Sequence, residues 1–435
     1  MFLDSCMLLL LPLLLLLPAS GFVQPPWLTT AATTDTRREE APQQYRRSRA
    51  RSTATRSTAV GTSTTGGHVP SDSPSPAAPQ NLLEQLQMQT TIWVDTADVD
   101  TVRRLEHDLG VVDVTTNPSI VSATARQDDG AAEDRGRLRV PTYSGHGEGS
   151  ALEDHERIAV DLGRRLLDAI PGRVCTQLDI RCTDAERMVE KARDIVAMYA
   201  KAGMSQERVM IKTPATWAGI RATERLEREG IRCLVTLVCS RVQGLAAAEA
   251  GASLIATYVG RVSDWHKTVA VGTNGSPAVT SAAAAAAAAA TTSAAEDHGV
   301  LLTLELKDCF ASRGLPTEVM AASFRNVEQV VSLSGCHHLT IAPGLIEELA
   351  KLPPRAILTG GEASNRKAAS NAEAGPGACT CRAPAEAADH SVRLDEKSFV
   401  AALGQDACGT EVLRSSVGGF TRDTLALEAA IANAK

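Results

Sequence analysis

The sequence predicts an α/β protein built as a parallel (β/α)8 barrel. Two observations favour this fold class: eight short apolar runs follow one another from residue 81 onward, and helical patterns separate them. An open, doubly wound sheet is the alternative, but no glycine-rich phosphate loop follows any of the runs. The predicted strands are Ile92–Asp95, Val111–Thr116, Val174–Asp179, Val209–Thr213, Cys233–Leu237, Ser253–Tyr258, Val319–Ser323 and Leu339–Ala342.

The segments between these strands divide into helices and insertions. Apolar residues recur with helical spacing in several of them, such as Ala151–Ile170, Ala185–Ala202 and Trp217–Glu229. Three polar or low-complexity segments break the alternation, and we expect them to be surface insertions. They lie near 126–150, 272–297 and 360–388. Residues 81–435 are therefore expected to form one barrel domain with three insertions.

The residues before the barrel are expected to be a targeting leader. An almost uninterrupted leucine run, Met7–Leu17, is followed by small residues up to Gly21, which is typical of a cleaved signal peptide over residues 1–21. Residues 22–80 are rich in Thr, Ser, Ala and Arg, as in a plastid transit peptide, and end in a Gly/Pro/Ser-rich linker that we expect to be disordered. The whole leader resembles the bipartite leader of algae with secondary plastids. We therefore expect the plastid stroma, with simple secretion as the alternative.

Charge and cysteine content exclude several classes of partner. A net charge of -7 and an aromatic content of 3% give no basic surface for nucleic acid. The ten cysteines include no C-x-x-C pair, so we expect reduced thiols and no metal site. The leucine run is too short for a membrane-spanning helix, and no membrane is expected for the mature form.

The most informative stretch is Arg208–Thr216, which reads R-V-M-I-K-T-P-A-T. A short apolar run ends on Lys212, and a turn then opens into a helical pattern from Trp217. Because burying an ammonium is costly, a lysine at this place either reaches solvent or serves chemistry. A desolvated lysine becomes a neutral, nucleophilic amine, which can form a Schiff base with a ketone.

Polar residues occupy the ends of the other predicted strands. The carboxyl ends of parallel barrel strands meet at one mouth, so we expect these residues to converge there. A lysine, an acid, amides, hydroxyls and two arginines suit a phosphorylated keto-sugar, because arginine forks bind phosphate with paired hydrogen bonds. Taken singly, Asp95 has the alternative role of a helix N-cap, and Asn117 that of a turn residue before Pro118. The residues are Asp95, Thr115, Thr116, Asn117, Gln177, Lys212, Thr236, Tyr258, Arg261, Ser323, Arg325 and Thr340.

Eight short motifs lie in order along the barrel segment. They are D-T-A-D (Asp95–Asp98), T-T-N-P-S (Thr115–Ser119), I-K-T-P-A-T-W-A-G-I (Ile211–Ile220), A-E-A-G-A-S-L-I (Ala248–Ile255), Y-V-G-R (Tyr258–Arg261), D-W (Asp264–Trp265), A-S-F-R-N (Ala322–Asn326) and L-T-I-A-P (Leu339–Pro343). In this order they resemble the transaldolase family of class I Schiff-base aldolases. The resemblance implies a TIM barrel of the class I aldolase type, in agreement with the strand pattern.

The resemblance also implies a role for each matching residue. Lys212 corresponds to the Schiff-base lysine, and Asp95 to the acid/base that handles a sugar hydroxyl proton. Thr236 corresponds to the threonine that helps to hold the catalytic water, and Asn117 to the asparagine that binds substrate hydroxyls. The implied phosphate-binding group consists of Arg261, Ser323 and Arg325. No metal or organic cofactor is implied, because the protonated imine is itself the electron sink.

Several positions depart from the common transaldolase pattern. Gln177 stands where the family has glutamate, and Tyr258 where it has phenylalanine. A glutamine positions the catalytic water but cannot take its proton, and a phenol adds a hydrogen-bonding group. Both residues resemble the fructose-6-phosphate aldolase branch of the family, and both are catalytic candidates here. Leu234 and the pair Ala256–Thr257 also differ from the family's Asn and Ser-Pro.

The sequence thus predicts a transaldolase of the non-oxidative pentose phosphate pathway. It would transfer a dihydroxyacetone unit between sugar phosphates through a Schiff base on Lys212. Two alternatives remain: a fructose-6-phosphate aldolase-type lyase that releases dihydroxyacetone, and a sugar-phosphate-binding protein with little turnover. Sugar phosphates are the expected partners, and a homodimer is left open.

Overall fold

Eight parallel strands close into a barrel in the computed structural model, which describes residues 78–127, 152–273, 297–357 and 394–434. The strands are β1 (Thr91–Asp95), β2 (Asp113–Thr115), β3 (Val174–Gln177), β4 (Val209–Pro214), β5 (Cys233–Val238), β6 (Leu254–Tyr258), β7 (Glu318–Ala322) and β8 (His338–Ile341). They are neighbours in chain order, and β8 pairs with β1. All eight predicted strands are confirmed within a few residues, and the open doubly wound sheet is excluded.

Helices connect the strands on the outside of the barrel. They are α1 (Leu82–Gln87), α2 (Val99–Leu109), α3 (Pro118–Gln127), α4 (Asp154–Ala169), α5 (Ala185–Lys201), α6 (Trp217–Arg228), α7 (Arg241–Glu249), α8 (Val259–Thr273), α9 (His298–Ser312), α10 (Val327–Ser332), α11 (Pro343–Lys351), α12 (Glu396–Gln405) and α13 (Ala407–Ala434). Capping residues set many of their starts, because side-chain oxygens satisfy the first backbone N–H groups of a helix. Thr216, for example, accepts a hydrogen bond from the Gly219 amide at the start of α6.

Most of the predicted leader and of the three predicted insertions lies outside the described residues. Only the edges of the predicted insertions are described. Helix α3 continues to Gln127 and helix α8 to Thr273, so each reaches the edge of a predicted insertion. Asp297 is buried, and its carboxylate caps α9 by accepting from the amides of Gly299 and Val300 at 3.0 and 3.1 Å.

Two apolar layers hold the barrel together. Side chains alternate between the two faces of a strand, so each strand supplies both layers. Outward-facing residues such as Val94 and Ile211 pack against the helices in the largest hydrophobic cluster. A second cluster consists of Trp93, Cys175, Met210, Leu234, Leu254, Ala256 and Met320. These residues lie on the other strand face, so they fill the interior of the barrel.

Helix α13 is the longest helix of the described chain and lies against the carboxyl mouth of the barrel. It packs against α3, α4, α8 and β5. Its side chains bond to residues that follow β2, β3 and β6. Asp423 accepts from the Ser119 hydroxyl, Glu428 pairs with Arg181 at 2.6 Å, and Glu411 accepts from the Trp265 indole at 2.7 Å.

All described residues belong to the unit Pro76–Lys435. No helix in the described part of the chain combines the length and the apolar character that a membrane crossing needs. The seven cysteines within the described ranges are thiols.

Candidate active site

The polar residues of the barrel mouth lie two positions beyond the apolar residues that fill the barrel. The pairs are Trp93 and Asp95, Cys175 and Gln177, Met210 and Lys212, Leu234 and Thr236, and Ala256 and Tyr258. Because side chains repeat with a period of two along a strand, both members of each pair project from the same face. The five catalytic candidates therefore form a polar layer directly above the apolar interior, at the carboxyl end where barrel active sites lie.

Lys212 is buried in this layer, with 5% of the residue exposed. Its register partners are Gln177 on β3 and Leu234 on β5, and its Nζ donates a 3.0 Å hydrogen bond to the Thr116 carbonyl. The alternative of a strand-end lysine that reaches solvent is therefore wrong. The amine is held inside the mouth by a neutral carbonyl.

Asp95 is held by a short chain of hydroxyl groups. Its Oδ1 accepts a 2.7 Å hydrogen bond from the Thr115 hydroxyl, which lies 2.6 Å from the Thr340 hydroxyl. Burial raises the pKa of Asp95 above its ordinary value, and the charge of Lys212 and the bond from Thr115 oppose this rise without cancelling it. A carboxyl with a raised pKa holds a proton more readily, which suits a group that must take and return one.

The two alternative roles drawn from the sequence have different outcomes. Asp95 is not the N-cap of the following helix, because Asp98 accepts from the amides of Asp100 and Thr101 at the start of α2. Asn117 does cap its helix, since its Oδ1 accepts from the Ile120 amide at 3.1 Å. Its Nδ2 is left to point towards Asp95 Oδ2, at 3.5 Å, so Asn117 serves both the turn and the site.

Gln177 differs from the other polar residues of the layer in its hydrogen bonding. The residue is 8% exposed, and neither atom of its side-chain amide has a hydrogen-bond partner among the described residues. Leaving a buried amide unsatisfied costs about 1–3 kcal/mol. Such a cost is typical of a functional position where a water molecule or substrate completes the bonds.

Thr236 and Tyr258 form a pair on neighbouring strands. The Thr236 hydroxyl donates to the phenol oxygen of Tyr258 at 3.2 Å, so the phenol proton stays available. Strand β5 is irregular here, with a register shift between Val235 and Val238 and a φ of 65° at Leu237. A branched residue with positive φ is strained, and such strain is concentrated at functional sites.

The predicted phosphate group is assembled where β6 and β7 end. Ser323 follows β7 with a φ of 65°, and its carbonyl accepts from the Gly260 amide at 3.1 Å and from Arg325 Nη1 at 2.8 Å. A Cβ on Gly260 would lie 2.2 Å from that carbonyl and 2.8 Å from Arg325 Cγ. Only glycine permits this approach, so the Y-V-G-R motif needs its glycine to bring the two strand ends together.

The sequence analysis missed the residues that hold the two arginines. Asp264, from the D-W motif, accepts from Arg325 Nε at 2.9 Å. Ser416 and Phe420, on α13, contact Arg261. Their spacing of four residues on a helical pattern was the available signal, but the sequence does not say which surface that helix covers.

The described residues contain no group of three or more His, Cys, Asp or Glu side chains arranged to hold a metal ion. Fold and site together define a class of protein. It is a TIM-barrel enzyme with a buried amine, a neighbouring carboxyl of raised pKa and two arginines at one mouth, which suits Schiff-base chemistry on phosphorylated keto compounds.

Comparisons with known proteins identify the family. The model of the transaldolase/fructose-6-phosphate aldolase family matches residues 92–431. A transaldolase of Stutzerimonas stutzeri (strain A1501) is 36% identical over 359 residues, which cover 80% of this chain and 97% of that relative. Transaldolases of Pseudoalteromonas atlantica and Thermosynechococcus vestitus are 32% and 34% identical over 80% of this chain, and the matches cover 97% and 80% of those relatives. The chain belongs to the transaldolase/fructose-6-phosphate aldolase family, and these relatives support an enzyme with transaldolase function.

Replacing Asp95 by asparagine is expected to abolish catalysis and to stabilise the fold at neutral pH. The folded-state pKa of Asp95 is raised above 3.8, so the ionised carboxylate lowers stability at high pH. This cost shrinks as the pH falls below the raised folded-state pKa, and it vanishes below the unfolded-state pKa of 3.8, where the carboxyl is protonated in both states. Urea unfolding at about pH 7 and about pH 4 should show a stability gain for D95N that shrinks at the lower pH. A variant that is less stable than wild type at both values contradicts this account of Asp95.

Proposed function

We propose that the chain transfers a dihydroxyacetone unit from a ketose phosphate to an aldose phosphate through an imine on Lys212. One observation carries the proposal: a buried lysine shares the inner face of the barrel mouth with Asp95 and Gln177. The family implies sugar-phosphate substrates, and the relatives named transaldolase favour transfer between two of them.

The first half of the reaction forms and uses the imine. The amine nitrogen of Lys212 attacks the ketone carbon. The hydroxyl of the resulting carbinolamine leaves as water with the proton of the Asp95 carboxyl, which gives a protonated imine and an Asp95 carboxylate. The Asp95 carboxylate then takes the proton of the C4 hydroxyl, the C3–C4 bond breaks, and its electron pair moves into the imine to give an enamine. An aldose phosphate leaves, and the proton stays on Asp95, whose raised pKa suits that state.

The second half reverses these steps with another aldehyde. The enamine attacks the carbonyl carbon of the acceptor aldose phosphate, and Asp95 returns its proton to the new hydroxyl. Water, held by Gln177, Thr236 and Tyr258, then hydrolyses the imine and frees Lys212. Arg261, Ser323 and Arg325 bind the phosphate of each substrate at the other side of the mouth.

A second activity, release of free dihydroxyacetone, is supported by one feature of the water-holding group. Gln177 has an unpartnered amide, and the Tyr258 phenol can still donate its proton. These groups can place a water molecule beside the enamine, and protonation of the enamine followed by hydrolysis would release dihydroxyacetone. We propose release as a side activity, since the relatives named transaldolase favour transfer.

The proposal also concerns the subcellular location of the protein. The composition of residues 1–80 supports import into a plastid in two steps, and the enzyme would then serve the pentose phosphate reactions of that compartment. A homodimer of the mature protein stays a prediction.

Borohydride reduction in the presence of fructose 6-phosphate should trap the imine as a stable secondary amine on Lys212. Replacing Lys212 by alanine should abolish the adduct and lower turnover by at least about a thousandfold, since the nucleophile acts with the whole site. Peptide mass spectrometry locates the label. Lys191 is the internal control, because it is equally buried, at 5% exposure, but pairs with the Glu156 carboxylate at 2.6 Å. Labelling of Lys191, or wild-type turnover by the Lys212→Ala variant, would contradict the mechanism.

Combining Gln177→Glu with Tyr258→Phe should shift the balance from release towards transfer. The quantity to measure is the ratio of dihydroxyacetone released from fructose 6-phosphate alone to sedoheptulose 7-phosphate formed with erythrose 4-phosphate. The two changes should act non-additively if both residues contact one water molecule. Tyr199→Phe is the matched control, because this buried tyrosine bonds to Thr176 at 2.7 Å. No release by wild type and an unchanged ratio in the double variant would show that these residues do not set the outcome.

A reporter fused to residues 1–80 should accumulate in the plastid of an alga with secondary plastids. The same reporter fused to residues 1–21 alone should enter the secretory route, because only the signal-like segment remains. Fluorescence microscopy distinguishes the two. Secretion of the longer fusion into the medium would favour the alternative of simple secretion.

A further inference from the structure

Arg261 differs from Arg325 in what holds its charge. Arg325 pairs with the Asp264 carboxylate. The contacts of Arg261 within the described part of the chain are one hydroxyl and two aromatic rings, with no carboxylate. The guanidinium of Arg261 therefore keeps its full charge and most of its N–H donors for an incoming anion.

Within the described part of the chain, three contacts orient this guanidinium, and two of them come from α13. Arg261 Nη1 donates to the Ser416 hydroxyl oxygen at 2.7 Å. The guanidinium carbon lies 5.3 Å from the centre of the Tyr258 ring and 5.4 Å from that of the Phe420 ring. Rings at such distances attract a cation and favour stacking of the planar guanidinium.

Ser416 and Phe420 are themselves fixed. The Ser416 hydroxyl donates to the Val412 carbonyl of its own helix at 2.6 Å, so its oxygen is left as an acceptor for Arg261. Ser416 is fully buried, and Phe420 is 2% exposed in a cluster with Tyr258. One turn of helix separates the two residues, so they present one surface to the arginine.

We infer that the C-terminal helix completes the phosphate site, with Ser416 and Phe420 as positioning residues for the Arg261 guanidinium. The inference rests on the proposed role of Arg261 in binding the substrate phosphate. A hydroxyl and a ring orient the arginine without neutralising it, whereas a carboxylate in their place would compete with the phosphate for the same donors. Affinity for phosphorylated sugars thus depends on a helix outside the barrel strands.

The test compares Ser416→Ala and Phe420→Leu with Arg261→Ala as the reference. KM for fructose 6-phosphate and the inhibition constant of inorganic phosphate report the anion site, and borohydride trapping with dihydroxyacetone reports the imine without a phosphate. Arg261→Ala should raise KM at least about tenfold, and each positioning variant about fivefold. For Ser416→Ala and Phe420→Leu, kcat and the trapping rate should stay near the wild-type values. Ser416→Thr, which keeps a hydroxyl, should restore KM.

Thr424→Val is the matched control. Thr424 is also buried on α13, and its hydroxyl donates to the Phe420 carbonyl four residues earlier, at 2.9 Å, with no bond to Arg261. This variant should leave KM and the inhibition constant at wild-type values. In the Arg261→Ala background, Ser416→Ala should have no further effect on KM, because it acts through the arginine.

The outcomes distinguish the proposed phosphate role of Arg261 from the inferred positioning role of Ser416 and Phe420. If Arg261→Ala leaves KM and phosphate inhibition unchanged, the proposed phosphate role of Arg261 fails, and the inference fails with it. If Arg261→Ala has its effect but Ser416→Ala and Phe420→Leu have none, only the inference is overturned. Equal losses in kcat, trapping and KM, shared by Thr424→Val, would also overturn it, because α13 would then act on the fold alone.

Discussion

The site depends on the two-residue alternation of side chains in parallel strands whose register is closed into a barrel. Lys212 faces the mouth because Met210 faces the apolar interior two positions earlier on the same strand. A slip of one residue would turn Met210 and Lys212 together towards the helices, where the ammonium would meet a hydrophobic layer. Burial of the interior cluster thus fixes the direction of the catalytic candidates, and the same apolar contacts stabilise the fold and orient the chemistry.

The polar layer above that cluster lowers the stability of the fold. The Gln177 amide has no hydrogen-bond partner among the described residues, the pKa of Asp95 is raised by burial, and Leu237 and Ser323 have strained backbone. Each of these costs free energy in the folded state. The two apolar layers offset them, since core burial is the dominant favourable contribution to folding. Gln177, Asp95, Leu237 and Ser323 all lie at or just beyond the carboxyl ends of their strands.

The sequence predicted the parts of the molecule that are governed by local pattern. Each strand was found because a run of apolar residues is a local signal, and Lys212 was found because it interrupts such a run. The helix cap at Asp98 was missed in favour of Asp95 because both acids precede the same helix within four residues, and only backbone geometry distinguishes them.

The partners of Arg261 could not be predicted in this way. Ser416 lies 155 residues from Arg261 in sequence, and no local pattern states which part of the barrel a C-terminal helix will cover. The helical spacing of Ser416 and Phe420 shows that the two residues share one face of the helix. It does not show which part of the barrel that face contacts. Long-range contacts of this kind follow from the closure of the barrel, so they become visible only with the fold.

Tyr258 joins the two halves of the site, and each half uses a different part of its side chain. The phenol oxygen accepts a hydrogen bond from Thr236 on β5, whereas the ring lies against the Arg261 guanidinium. A phenylalanine, which the family commonly has at this position, would keep the ring against the arginine and lose only the hydroxyl. The departure to tyrosine can therefore change the handling of water without disturbing the phosphate site. The hydroxyl and the ring are separate parts of the same side chain, so we expect a change at the hydroxyl to leave the contact with Arg261 in place.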